Sequence, residues 1–321
     1  MSAPVFTPGW SPAHDCAVII ACDASYLPYA SVVALQLARH APACDVLIGS
    51  PDPVALPVVL VAAGIGHVAA RLPPIEDALP QDARRSMATY MDLFLAAALR
   101  GVYRRILVLD ADILHERGDP ARLMAADMGG RALAAVRDNR QWRNPTRRVP
   151  DFRRLGRPAA PYFNAGVVMI DPDAWATQDL TRRCADFARR HLAGLGRDQA
   201  LLNGVLHGDW AEISPLWNWQ FTWASSLLAG MADPCLIHFI GPAKPWLDRS
   251  AGTVPMRWRA PYGPFLAEHF PAAPRPAAAD RRHWPQPRDL RRSLFRQWRA
   301  ARPMLDYLGR FADEYAMVDP R

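Results

Sequence analysis

Lysine is almost missing from this chain of 321 residues: Lys244 is the only one, although Lys and Arg together number 38. Arginine carries nearly all the positive charge, so Lys244 marks a position where a compact ammonium stands instead of a guanidinium. Half the residues are hydrophobic, yet no apolar run is long and charge-free enough to cross a bilayer. Met1 to Asp15 lacks a basic stretch followed by an apolar core, so no secretory leader is expected. The cysteines, Cys16, Cys22, Cys44, Cys184 and Cys235, are odd in number, scattered and without metal-ligand spacing. Reduced thiols in a cytoplasmic setting fit that pattern better than a disulfide framework. No glycine-rich loop follows the first apolar run, which excludes the dinucleotide fingerprint and the P-loop. The net charge of +7 calls for anionic partners. No recognised nucleic-acid motif accompanies it, which leaves nucleotide phosphates and lipid headgroups.

What is present centres on Arg105-Ile-Leu-Val-Leu-Asp110-Ala-Asp112. A short run of branched apolar residues reads as a buried strand, and two carboxylates stand one residue apart at its end. Ligands of open α/β sheets bind beyond the carboxyl ends of strands. In extended chain, residues i and i+2 share a face, so Asp110 and Asp112 can reach one cation. Paired carboxylates suit Mg²⁺ or Mn²⁺ together with substrate phosphates. A strand-end turn whose aspartates only cap the next helix is the alternative.

The same strand-then-polar-turn pattern opens the chain. Cys16 to Cys22 is apolar, Asp23-Ala-Ser-Tyr26 follows, and an amphipathic helix runs to about Arg39. Asp23 and Tyr26 could hold and stack a base, or could cap the helix and join the core. Further strands are expected at 44–49, 132–136, 163–170 and 234–237, with strand or helix pieces near Val58–Val61. Helices are expected at 86–99, 171–191 and from Arg197. Asn139 to Tyr162 is rich in Arg and Pro, and reads as a lid, a binding loop or a disordered surface insert. Strand termini thus carry Asp23, Asp110 with Asp112, Asn164 and His238. Asn164 opens its strand, so it joins the others only if that strand runs antiparallel. An imidazole beside carboxylates tilts the metal from Mg²⁺ toward Mn²⁺. Gly241 and Lys244 supply close backbone approach and a point charge for phosphate.

From Pro271 the composition changes. A Pro-rich linker leads into a segment where Leu290, Leu294 and Trp298 share a helical face flanked by arginines. Such a face suits an anionic membrane interface; a helix packed on the domain with a solvated charged side is the alternative.

Between Cys16 and Trp258 the chain resembles glycosyltransferase family 8, through Asp110-Ala-Asp112, Phe163-Asn164-Ala-Gly166, Asp198-Gln199 with Leu202-Asn203, and His238-x-x-Gly241-x-x-Lys244-Pro-Trp246. It is most similar to the bacterial lipopolysaccharide galactosyltransferases. The resemblance implies one α/β nucleotide-sugar-binding domain of Rossmann-like GT-A type over 1–270, with a mostly parallel sheet, and a linker with a basic helical tail over 271–321. It implies retaining transfer of galactose or glucose from a UDP-hexose to a saccharide or glycolipid acceptor, at the inner face of the cytoplasmic membrane. Asp110, Asp112 and His238 would bind Mn²⁺, and Asp23 and Tyr26 the uracil. Asn164, Asp198 and Gln199 would surround the donor sugar, Gly241 and Lys244 the diphosphate, and Asp138 the acceptor or the donor sugar. Gln199 is a poor nucleophile, which favours attack from the leaving-group side, with Asp198 as the other candidate. At Asp92 many relatives carry a basic residue, which leaves the donor sugar open and a non-catalytic sugar-nucleotide-binding protein as the rival.

Overall fold

The computed structural model describes residues 4–71, 73–76, 79, 86–192, 198–222, 226–247, 253–276 and 285–320. The strands are β1 (Val5–Phe6), β2 (Cys16–Ala21), β3 (Asp45–Ser50), β4 (Gly66–Ala69), β5 (Arg105–Asp110) and β6 (Ile113–His115). They continue with β7 (Leu133–Arg137), β8 (Phe163–Ile170), β9 (Ala211–Ile213), β10 (Trp219–Gln220), β11 (Leu236–His238) and β12 (Met317–Val318). Among the described residues, nine of them form one sheet in the order β1-β4-β3-β2-β5-β8-β7-β9-β12, and β10-β11-β6 form a second.

Successive side chains of β2 and β5 enter opposite layers of core. Val18, Ile20, Leu107 and Leu109 join one hydrophobic cluster, while Ala17, Ile19, Ile106 and Val108 join the other. This two-sided burial is why these strands read as unbroken apolar runs without alternation. Each such aliphatic side chain contributes about 1.5–3 kcal/mol when fully buried. The helix Leu27–His40 covers the first face through Leu27, Val33 and Leu37, and Met91–Ala98 covers the second through Leu93, Phe94 and Leu95.

The expected parallel arrangement holds across β4, β3, β2 and β5. Beyond them β8 inserts antiparallel to both β5 and β7. The first residues of β8 therefore lie at the rim where β5 ends, which brings Asn164 to the carboxylates. The two-residue strands β1 and β12 close the sheet antiparallel at either edge.

Two stretches differ from their sequence pattern, and a third takes one of its two alternatives. The expected helix 171–191 is broken where Asp179 takes a φ of 52°, into Pro172–Thr177 and Leu180–Phe187, the latter running on into a π-helical turn at Ala188–Leu192. Val58–Ala62 is a helix. Asn139 to Tyr162 is folded, with helices at Asn139–Trp142 and Pro150–Arg154. Buried Gln141 holds it together: its Nε2 donates to the carbonyls of Arg147 (2.7 Å) and Ala160 (3.0 Å), and its Oε1 accepts from Tyr162 N at 2.9 Å. The amide works beside a small apolar cluster of the stretch's own, in which Val149, Phe152 and Tyr162 are buried with Leu155 and Ala160 packed against them.

The C-terminal segment packs on the domain. The helix Pro287–Leu308 buries Ser293, Gln297, Ala300, Met304 and Tyr307 along one side, and β12 joins the central sheet beside β9. Its other side leaves Leu290, Leu294, Phe295 and Trp298 exposed.

Candidate active site

The two sheets meet at Asp110-Ala111-Asp112. β5 ends on Asp110 in the large sheet, and the chain crosses at Ala111 and Asp112 into β6 of the small one. β6 pairs with β11, His238 lying opposite Ile113, and Phe239 N donates to the Asp112 carbonyl at 3.0 Å. Backbone pairing therefore delivers the imidazole to carboxylates more than a hundred residues earlier in the chain. His238 Nε2 lies 3.2 Å from Asp112 Oδ1 and 3.6 Å from Asp110 Oδ2. The three ligand atoms fall within 4.8 Å of one another.

Asp112 Oδ1 is buried and accepts no hydrogen bond of sound geometry, while Oδ2 takes Lys244 Nζ at 2.5 Å. Burial would raise the Asp112 carboxyl, but His238 and Lys244 outweigh it and hold the group well below the usual carboxylate range. Asp110 stands half-exposed at the cleft. Enough protein surrounds it that desolvation, and then the charge of Asp112, push its carboxyl up to about 6. Two crowded carboxylates, an orphaned oxygen and an imidazole are the donor set of a divalent cation. Gly166 leaves the room: a Cβ there would stand 2.1 Å from His238 Cε1 and 2.9 Å from Asp110 Oδ2. The residues present fit a metal ion.

A row of amides leads away from the metal ligands. Gly166 N donates to Asn164 Oδ1 at 3.1 Å, which fixes how that side chain faces. The same oxygen accepts from Asn218 Nδ2 at 2.9 Å. Asn218 therefore turns its carbonyl toward His238 Nδ1, 3.0 Å away. The imidazole then carries its proton on Nδ1 and presents the Nε2 lone pair to the carboxylates, as a metal ligand must. In the other direction, Asn164 Nδ2 donates to Gln199 Oε1 at 3.2 Å, and Gln199 Nε2 donates to Asp138 Oδ2 at 3.0 Å. Asp138 also takes Arg140 Nε at 2.7 Å and Nη2 at 3.0 Å. Asn203 holds Gln199's helix to β8, through Phe163 N at 2.8 Å and Phe163 O at 3.0 Å.

The other expected residues line the same rim. β2 and β5 pair in parallel with Ala21 opposite Asp110, so Asp23 follows two residues past that pair, as Asp112 does on its own strand. Asp23 Oδ1 accepts from Ser25 Oγ at 2.6 Å and from the amides of Ser25 and Tyr26. Burial opposes ionisation there, but the hydroxyls of Ser25 and Ser86 and those amides lower the carboxyl below its ordinary value. Tyr26 is partly exposed and sits edge-on to Trp246, which itself stacks on Tyr29 at 4.0 Å. The Lys-Pro-Trp stretch is thereby anchored to the first helix. Gly241 borders open space, since a Cβ there would meet nothing within 4 Å. Lys244 also donates to the Phe239 carbonyl at 2.5 Å. Asp198 begins the helix Asp198–Leu206; Arg197 lies outside the described residues.

Asp92 is buried. Its Oδ1 accepts from Leu93 N at 2.8 Å and its Oδ2 has no hydrogen-bond partner. Desolvation, with Asp198 and Asp110 adding like charge, raises its carboxyl well above the ordinary range. Arg85, the solvent-side neighbour that the helix spacing offers it, lies outside the described residues.

Sequence reasoning missed Asn218 and Gln220. Both sit in Trp217-Asn-Trp-Gln-Phe221, which reads as core. The available signal was two amides alternating with three aromatics, since buried amides require partners.

A mixed sheet whose rim carries an Asp-x-Asp pair and a facing histidine defines a GT-A type α/β protein. The Glycosyl transferase family 8 model matches residues 17–250, and the chain belongs to that family. General stress protein A of Bacillus subtilis (strain 168) is 30% identical over 159 residues, covering 44% of this chain and 53% of that protein. Lipopolysaccharide 1,2-glucosyltransferase of Escherichia coli (strain K12) is 29% identical over 172 residues, covering 50% and 49%. The chain thus spans about half the length of the curated relatives it matches. Among solved structures, the galactosyltransferase LgtC with donor and acceptor sugar analogues superposes with a TM-score of 0.59 at 22% identity, over 76% of this chain and 99% of that one. At that identity the likeness speaks for the fold.

Proposed function

We propose that this chain is a retaining hexosyltransferase, moving galactose or glucose from a UDP-sugar to a saccharide acceptor in lipopolysaccharide or other cell-surface glycan synthesis. The observation that carries the reading is the convergence of Asp110, Asp112, His238 and Lys244 at the head of the amide row. The names of curated relatives, a lipopolysaccharide 1,2-glucosyltransferase and a lipopolysaccharide 1,3-galactosyltransferase, supply the substrate class.

Asp110, Asp112 and His238 hold a divalent cation, Mn²⁺ by preference of the mixed donor set. When bound, it supplies Lewis-acid neutralisation of the diphosphate leaving group. Asp23 and Tyr26 receive the uracil, and Gly241 and Lys244 the diphosphate. Asn164, Asp198, Gln199 and Asp138 face the donor sugar. Gln199 Oε1 already accepts from Asn164 Nδ2 and, at 3.4 Å, from Ala165 N, while Nε2 is spent on Asp138. That amide orients and does not attack, which favours delivery of the acceptor hydroxyl from the leaving-group side, its proton passing to a phosphate oxygen. Asp198 is the remaining candidate nucleophile.

The segment 1–270 carries the donor-binding machinery. The helix Pro287–Leu308 turns Leu290, Leu294, Phe295 and Trp298 outward among arginines, which suits peripheral binding to the anionic inner face of the cytoplasmic membrane. Asp92, buried beside Asp198 and Asp110, favours a second reading in which the chain binds sugar nucleotide with little turnover.

The test is UDP release from UDP-glucose and UDP-galactose, with Mn²⁺ or with chelator, alongside UDP binding by calorimetry. Mn²⁺-dependent release supports transfer. Binding without release supports the second reading, and neither binding nor release overturns both.

A further inference from the structure

A cavity of about 780 Å³ opens next to Asp138. Its walls come from the folded stretch after β7, from β10 and from the C-terminal helix. Arg140, Arg143, Arg147 and Arg296 line it together with Trp142 and Trp219. No carboxylate lines it among the described residues. Asp138 neutralises Arg140. The guanidiniums of Arg143 and Arg147, from one stretch, and of Arg296, from the C-terminal helix, are exposed and have no ion-pair or hydrogen-bond partner among the described residues. Three guanidiniums without a carboxylate partner line one concave wall, and an anion entering it can take charge-assisted hydrogen bonds from them.

The placement is built. Gln141 holds the Arg147 carbonyl, so that residue is fixed to the stretch it sits on. Trp142 and Trp219 lie 5.3 Å apart between ring centroids. Trp142 Nε1 donates to the Arg137 carbonyl, whereas buried Trp219 Nε1 has no acceptor. The indole edges that reach the cavity suit the apolar faces of a pyranose ring. The cavity also adjoins the donor end directly. Gln220 accepts from Asn139 N at 2.8 Å and stands opposite His238 in the small sheet.

Resting on the transferase reading above, we infer that this cavity is the acceptor site and that it selects a saccharide bearing an anionic substituent, a phosphate or a carboxylate. The tryptophans receive the ring, and the arginines the charge.

Calorimetric titration at low ionic strength with glucose, glucuronate, glucose 6-phosphate and inorganic phosphate tests this. The wild-type chain is expected to bind a charged sugar at least about tenfold more tightly than glucose. It should also bind that sugar more tightly than inorganic phosphate, the sugar ring adding to the anion. The better of glucuronate and glucose 6-phosphate identifies the group. In Arg143→Ala/Arg147→Ala/Arg296→Ala, checked for folding by circular dichroism, the charged-to-neutral ratio should fall toward one. A wild-type ratio near one, an unchanged ratio in the variant, or inorganic phosphate binding as tightly as the charged sugar would each overturn the inference. Wild-type binding of UDP, titrated separately, keeps the two readings apart. If UDP binds and the ratio is one, only the acceptor inference falls; if UDP does not bind and the ratio holds, the transferase reading falls, the acceptor role with it, and the selectivity of the cavity for anionic sugars stands.

Discussion

Two carboxylate clusters, one buried and one open to the cleft, sit at opposite ends of the large sheet's second half, and they are built on opposite principles. Glu212 is fully buried on β9, and both its oxygens are used. Arg137 grips it with Nε and Nη2 at 2.7 Å each, Tyr307 donates at 2.7 Å and Arg310 at 2.8 Å. Asp110 and Asp112 crowd each other instead, with one buried oxygen unbonded and one lysine between them and neutrality. A satisfied buried ion network fastens elements together; here it ties the C-terminal helix to the sheet. An under-satisfied one costs free energy that a ligand recovers. The two clusters therefore differ both in hydrogen-bond saturation and in access to the cleft.

The contrast can be broken at several points. Asp112→Asn should lower Mn²⁺-dependent UDP release by roughly a hundredfold or more, since metal charge stabilisation is worth several kcal/mol. Its melting temperature should barely move. A large loss of stability with activity retained would reverse the roles of the two clusters.

Glu212→Ala should do the opposite. Leaving two arginines and a phenol without their partner costs on the order of 3–5 kcal/mol. Chemical denaturation should read that loss, while the surviving folded fraction still binds UDP.

A smaller effect is expected of Asn218→Leu, which is of similar size but removes the acceptor from His238 Nδ1. Outer-shell partners of this kind are worth about 10–100-fold in metal affinity. Mn²⁺ titration followed by electron paramagnetic resonance measures it without any turnover. Asn218→Asp keeps an acceptor and should restore part of the loss. Unchanged affinity in Asn218→Leu would remove Asn218 from the site.

The smallest effect concerns Asp92. Its folded-state carboxyl is raised, so the folded chain holds a proton that the unfolded chain has released above about pH 4. Stability from this group is present at low pH and is lost as pH rises toward the folded value. Asp92→Asn keeps the acceptor for Leu93 N and removes the ionisation. Its melting temperature relative to wild type should therefore climb between pH 5 and 8. A constant difference would mean that Asp92 is ionised throughout.

The clusters also show what the sequence could and could not disclose. Asp110, Asp112 and His238 were legible because strand-end carboxylates and a His-x-x-Gly-x-x-Lys-Pro-Trp stretch are local patterns. β2, β5 and β8 were legible because two-sided burial makes continuous apolar runs. Glu212 was not, since nothing local distinguishes a buried acid from an exposed one; its partners lie 75, 95 and 98 residues away. Asn218 was hidden by its aromatic neighbours. The stretch 139–162 looked coreless because its apolar cluster is only Val149, Phe152 and Tyr162, scattered among arginines and prolines and joined by the Gln141 amide. The C-terminal helix looked like a free tail because its apolar outer stripe is stronger in sequence than the Ser293, Gln297, Ala300 and Met304 face it buries.

The edges of the large sheet bear on how this protein behaves at high concentration. A strand with unpaired amides and carbonyls is a template for another copy, and chains that stay apart keep such strands short or covered. Here both outermost strands are two residues long, and each shields a longer or more sensitive neighbour: β1 covers β4, and β12 covers β9 with Glu212 in it. Removing Met317 and Val318 would therefore do more than shorten the chain. It would turn the pairing edge of β9 outward, so the first sign of damage would be self-association, with clouding of the sample ahead of any loss of helix signal.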